Sequence, residues 1–265
     1  MTRLLSGVVL LTIVGGIAWL APPKGLLMFA VVVAVAAFFE LASLCDALGA
    51  PVPRLPGAIA TAAATAAVAW PGASIEPILA AAIVLLGVVA VLSGNPDRGG
   101  LAGAALTLVA PIYLGLPLGG LAGIRWTDGR EAAILVVLTV IASDTSQYYT
   151  GRAFGRHRLA PIISPKKTVE GAVGGLAGGT VMLAVLGAWW LPQMPLIARV
   201  LLGLAVASLG IVGDLFESAV KRVAQVKDSS SLIPGHGGVL DRIDALLLAA
   251  PVYVAVLRYG PWPVR

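Results

Sequence analysis

Long uninterrupted apolar runs alternate with short polar breaks along almost the whole chain. Nine runs stand out. The first five are Leu4–Ala21, Leu26–Cys45, Gly57–Pro71, Pro77–Ser93 and Leu101–Leu116. They are followed by Glu131–Thr150, Gly171–Leu191, Leu196–Ser218 and Leu240–Tyr259. A bilayer core is crossed by about 20 consecutive apolar residues in a helix, so the pattern predicts an all-α, polytopic integral membrane protein with about nine transmembrane helices. The third and fifth runs are short for a span, and tilt or re-entry would accommodate them. The first run, preceded by Arg3, exceeds the h-region of a signal peptide and reads as an uncleaved anchor.

Composition agrees. Hydrophobic residues make up 58% of the 265 and charged ones 12%, with a mean hydropathy of +0.95. A soluble domain carries about twice that charge. Glycine and alanine within the spans point to close helix packing in lipid, so Gly171–Gly175 and Leu176-Ala177-Gly178-Gly179 read as packing faces. The single Cys45 has no internal disulfide partner and reads as a small buried residue.

Two polar loops break the pattern most, Gly151–Glu170 and Ala219–Val239. With the N-terminus cytoplasmic and nine spans, twelve Lys and Arg fall on one side and six on the other. The richer side is the cytoplasmic one, and both polar loops then face it. The chain reads as one membrane domain, with residues 1–130 a nearly uncharged scaffold and 131–265 the chemically active part. Seven of the 13 acidic residues lie between Asp144 and Asp244.

The second loop and its flanks carry most of the chemistry. Asp214 and Glu217 share one face of the eighth span near its C-terminal end, and a carboxylate facing lipid costs several kcal/mol, so they are expected to face a polar interior or a metal. Asp241 and Asp244 repeat that spacing at the start of the ninth span, where the helix dipole alone would favour them. Next to them lie His236, Gly237 and Gly238, and glycine backbone suits phosphate oxygens. Carboxylates from two neighbouring helices are hard oxygen ligands of the kind Mg²⁺ takes together with substrate phosphates. Lys166 and Lys167 precede the seventh span and read as two cations at a helix N-terminus; phosphate binding and the positive-inside pattern explain them equally well. Asp144, inside an apolar run, is a further site candidate, whereas the isolated Glu40 fits a structural hydrogen bond as well as a function. His157 reads as part of a solvated basic loop. His236 suits either a proton shuttle or a phosphate contact, and its residue type does not choose between them.

Taken together, these residues resemble the phosphatidate cytidylyltransferases, also called CDP-diacylglycerol synthases. The resemblance rests on Ser218, Lys221-Arg222, Lys227-Asp228, Ser230, Ile233-Pro234, His236-Gly237-Gly238, and Asp241-Arg242 with Asp244. Upstream it includes Ser143-Asp144-Thr145, Gly151-Arg152 through Gly155-Arg156, and Ser164 through Gly171. It covers roughly Ser143 to Asp244, and Ser229-Ser230-Ser231 departs from the family's usual aromatic or glycine. What it implies is conversion of CTP and phosphatidic acid to CDP-diacylglycerol and pyrophosphate at the inner membrane, with Mg²⁺ and room for a second cation such as K⁺. Asp214 and Asp241 would hold the metal, with Asp144, Asp244 and His236 also catalytic. Lys166, Lys167, Lys221, Arg222, Lys227, Gly237, Gly238 and Arg242 would bind the phosphates. The expected partners are CTP, phosphatidic acid and membrane lipids, with no nucleic acid, and a homodimer is one open assembly. A CTP-dependent polyprenol kinase would share the nucleotide and metal needs. A cation-coupled transporter ranks below both, because the acids cluster towards one side and no repeat is visible.

Overall fold

The computed structural model describes residues 12, 14–92, 98–233, 235 and 237–262. Residues 14–20 are helical, and nine longer α-helices follow. We number them α1 Pro23–Ala47, α2 Arg54–Ala69, α3 Glu76–Leu92, α4 Arg98–Ala110, α5 Leu116–Thr127, α6 Gly129–Phe154, α7 Val169–Trp190, α8 Leu196–Val223 and α9 Leu240–Tyr259. Among the described residues, five stretches are long and apolar enough to cross a membrane: Pro23–Ala47, Gly99–Thr127, Gly129–Phe154, Val169–Trp190 and Leu196–Val223. Half of the first apolar run lies outside the described residues.

Two local features differ from the sequence-based reading. The run expected to end at Leu116 continues to Thr127, because the turn Pro111–Gly115 widens to π-type winding and joins α4 to α5. Such a turn accommodates a proline in the helix interior. The Gly151–Glu170 loop is also more ordered than a simple connection. Strands β1 (Arg158–Ala160) and β2 (Ser164–Thr168) pair antiparallel, with Arg158 opposite Thr168 and Ala160 opposite Ser164. Lys166 and Lys167 therefore sit on a strand, and α7 begins after them. Thr168 caps that helix, its Oγ1 accepting from Gly171 N at 3.1 Å.

The chain divides into two compact units, Met1–Gly123 with Val220–Arg242, and Ile124–Ala219 with Ile243–Arg265. The polar segment after α8 thus belongs with the N-terminal helices. In the first unit Ala34, Ala37, Phe38, Ala64 and Leu114 are buried. Small residues set the spacing: a side chain at Gly57 would run into the Phe38 ring, and one at Gly119 into the α2 backbone at Thr65.

In the second unit Leu135, Val136, Leu183, Val206 and Tyr253 are buried, and Tyr253 Oη donates to Ala132 O at 2.7 Å. The α6–α7 contact is glycine-lined. Side chains at Gly174 and Gly178 would overlap Thr150 and Ser146, and one at Gly175 would lie 3.1 Å from Ser143 O. These are packing faces, as the sequence pattern suggests. Gly174→Val is accordingly expected to lower stability by about 1–3 kcal/mol through overpacking. Val173→Ala, at a 60% exposed neighbour, serves as the near-neutral control. Thermal melting of both variants in detergent checks this.

Candidate active site

Helix α8 stops where its sequence turns polar. Gln225 adopts a left-handed φ of 58°, Val226 N donates to Lys221 O at 2.9 Å, and Gln225 N donates to Arg222 O at 3.1 Å. This is the double bond pattern of a Schellman stop. The Arg222 guanidinium adds a bond to Val226 O at 3.1 Å, so in this structure it fastens the turn. Lys227 and Asp228 are exposed beyond it.

The chain then returns through Ser229 and a tight turn to α9. Ile233 N donates to Gly237 O at 2.8 Å across that turn. Gly237 has a φ of 77°, a conformation that glycine takes without strain. Pro234 and His236 lie outside the described residues, so the role sought for His236 has no geometry here.

The centre of this segment is the Asp241 carboxylate, whose side chain is only 5% exposed. Its Oδ1 receives Lys221 Nζ at 2.5 Å. Its Oδ2 accepts from Ser229 N at 2.9 Å, Ser229 Oγ at 2.9 Å and Gly238 N at 2.8 Å. The Gly238 N–H, a phosphate donor on the sequence reading, is thus spent on Asp241. Glu40 of α1 joins the same network. Its Oε1 accepts from Ser230 Oγ at 2.7 Å and Val239 N at 2.9 Å, and its Oε2 from Ser229 Oγ and Leu240 N, both at 2.8 Å. Glu40 is 6% exposed. The apolar run around it marks it as unusual, but only the fold brings it to partners almost two hundred residues away.

The second unit holds a matching pair. Lys167 of β2 bonds Asp214 Oδ2 on α8, with side chains 15% and 30% exposed. Ser218 Oγ lies 3.4 Å from Asp214 Oδ1, one turn further along. Gly213 lets α9 come close at this point, since a side chain there would lie 2.6 Å from Asp244 O. Asp214 and Asp244 are thereby brought to one helix crossing. Glu217 is buried, Asp144 on α6 and Lys166 are exposed, and so is Arg242 in the first turn of α9. His157 pairs with Glu170: its Nδ1 lies 2.6 Å from Glu170 Oε1, and Glu170 also accepts from the Arg156 and His157 backbone N–H groups. The imidazole stays largely solvated, at 78% exposed.

The donor chemistry suits a hard divalent cation. Asp241 and Asp214 each bind one ammonium group, which shows that both carboxylates accept a cation where they stand. Among the described residues no three His, Cys, Asp or Glu side chains converge on one point. A metal here would take one or two carboxylates and complete its shell with water and phosphate, the habit of Mg²⁺.

The fold and these pairs define a helical membrane protein that carries a buried carboxylate network tied to basic residues. The profile of the cytidylyltransferase family matches residues 1–260, and the chain belongs to that family. It is similar to proteins named phosphatidate cytidylyltransferase from several bacteria. The Synechocystis protein is 45% identical over 58% of this chain and 54% of its own length. The Pseudomonas aeruginosa protein is 40% identical over 60% of this chain and 58% of its own. These alignments span little more than half of each relative. The Brucella abortus protein aligns more widely, 31% identical over 94% of this chain and 90% of its own.

Proposed function

We propose that the protein is a phosphatidate cytidylyltransferase, converting CTP and phosphatidic acid to CDP-diacylglycerol and pyrophosphate. The observation that carries this reading is the Asp241 network, a buried carboxylate held by three protein donors and an ammonium within the family's characteristic segment. A phosphate oxygen of phosphatidate attacks the α-phosphorus of CTP. A new P–O–P bond forms, the α–β bridging bond breaks, and pyrophosphate leaves with the electron pair. The lipid supplies the nucleophile, so the protein's task is positioning and charge neutralisation.

Asp241 in the first unit and Asp214 in the second are each proposed as carboxylate ligands for Mg²⁺, which when bound neutralises phosphate charge. Lys221 and Lys167 provide ammonium groups next to those carboxylates for phosphate oxygens. Lys166, Lys227 and Arg242, all exposed, add positive charge for an anionic lipid and nucleotide. Asp244, beside Asp214 at the helix crossing, and Asp144 complete the acidic set. Helices α2, α3 and α9 would also span the bilayer, and together with the first apolar run that makes about nine spans. Both polar loops would then face the cytoplasm, where CTP is dissolved and phosphatidate arrives sideways from the leaflet.

The test is incubation of the purified chain with CTP, micellar phosphatidate and Mg²⁺, following pyrophosphate release and the lipid product. One CDP-diacylglycerol per pyrophosphate is expected. A protein that makes none while folded is not this enzyme. Phosphorylation of polyprenol with release of CDP would assign it instead to the kinase reading.

A further inference from the structure

Glu40 lies outside every element that the chemistry above uses, yet it accepts as many hydrogen bonds as Asp241 does. Four donors reach it: two hydroxyls and two backbone N–H groups, at 2.7 to 2.9 Å. A carboxylate offers about four lone-pair positions. Glu40 is filled by four neutral protein donors, whereas one of the four on Asp241 is the Lys221 ammonium, a cation that a metal would replace in kind. Of the two carboxylates, Asp241 is therefore the one suited to a metal. We infer that Glu40 is a positioning residue for Asp241, acting through the Ser229 hydroxyl and the first backbone amides of α9; this rests on the proposed function.

Two links connect the carboxylates. One is the backbone. Val239 N and Leu240 N donate to Glu40, while Gly238 N, next to them, donates to Asp241. Glu40 thereby fixes the entry into α9, and with it the direction in which Asp241 leaves that helix. The second link is Ser229, whose Oγ lies 2.8 Å from Glu40 Oε2 and 2.9 Å from Asp241 Oδ2. A serine hydroxyl has one proton. It serves one carboxylate at a time, and the other then faces a bare oxygen across less than 3 Å. A cation on Asp241 would weaken that carboxylate's hold on the hydroxyl, and the proton could then turn fully to Glu40. Without Glu40 as second acceptor, that turn would leave the hydroxyl of Ser229, a residue 8% exposed, without a partner. Glu40 thus makes it cheaper for Asp241 to exchange a hydrogen bond for a metal. No contact between Glu40 and the ligand is needed.

The test uses the full chain in detergent with Mn²⁺ as the probe, counting free Mn²⁺ by electron paramagnetic resonance. Glu40→Gln keeps the size but replaces one acceptor oxygen with a donor. Ser229→Ala removes the relay and leaves the other bonds to Glu40. Each is expected to weaken Mn²⁺ binding about tenfold, as loss of an outer-shell partner does. Because both act through one path, the double variant is expected to bind within about twofold of the weaker single one. A purely structural Glu40 would lower the yield of folded protein and leave Mn²⁺ binding by the folded fraction unchanged. Wild-type Mn²⁺ affinity in folded Glu40→Gln would overturn the inference, as would effects that multiply in the double variant. Should Glu40→Gln fail to fold, unchanged Mn²⁺ affinity in Ser229→Ala overturns it equally. Failure of the wild-type chain to bind Mn²⁺ or make CDP-diacylglycerol would instead remove the proposed function beneath it.

Discussion

Asp241→Asn is expected to reduce product formation on the order of 10³-fold, the scale on which metal-assisted charge stabilisation acts. The same change should damage the fold. Lys221 Nζ meets Asp241 at 2.5 Å, with side chains only 10% and 5% exposed. Removing one charge of such a pair costs about 3–5 kcal/mol, because the buried Lys221 ammonium loses its Asp241 carboxylate. An asparagine amide turned towards Ser229 N and Gly238 N would also set donor against donor. Lost activity in the single variant would therefore be ambiguous. The double change Asp241→Asn with Lys221→Met separates the two effects. Its melting temperature is expected to recover most of the loss, since an apolar side chain of similar length replaces the buried ammonium. Pyrophosphate release should stay at background. Activity restored in the double variant would make Asp241 a structural residue and end its role as a metal ligand.

That separation depends on contacts the chain pattern does not contain. Helix positions in the second half were legible because the apolar runs there are bounded by charged residues or by proline. α9 begins and ends as the pattern suggests, α6 runs past it at both ends, α8 only at its C-terminal end, and α7 starts slightly early and stops at Trp190. The join of α4 to α5 was not legible, since Pro111 and Pro117 read as breakers in water, while in a packed membrane helix a wider turn absorbs them. The β1–β2 hairpin escaped for another reason. Its strands are three and five residues long and hold Pro165 and two lysines, too short and polar for a period of two to register. Within the candidate site, the residue types were legible and their pairing was not. Lys167 and Asp214 are 47 residues apart, and Lys221 and Asp241 are 20 apart. Both lysines looked like phosphate ligands, yet in this structure each sits on an aspartate. Glu40 showed only its oddity, an acid inside an apolar helix.

Gly238→Ala is expected to be nearly as damaging as loss of Asp241, though it removes no functional group. The space for a methyl there is already filled: a Cβ would overlap both Ser229 Oγ and the Glu40 carboxylate. Those two atoms cannot retreat freely. Ser229 is tied to Asp241 through N and Oγ, and Glu40 to Ser230, Val239 and Leu240. Any shift that admits the methyl group breaks bonds to both carboxylates at once. Overpacking alone costs about 1–3 kcal/mol, and each lost bond to a buried charge adds about 1.5–3 kcal/mol. Turnover should fall by about 10² or more, because a displacement of about 1 Å at a positioned group has that effect. A second change tests the cause. Ser229→Gly removes one of the two obstructing atoms, so Gly238→Ala combined with Ser229→Gly should melt higher than Gly238→Ala alone. Activity should remain low in the pair, since the Ser229 relay is gone. If Gly238→Ala proved fully active and stable, the close approach of Glu40 to the start of α9 would be wrong. The saturated Glu40 carboxylate could not then be what aims Asp241.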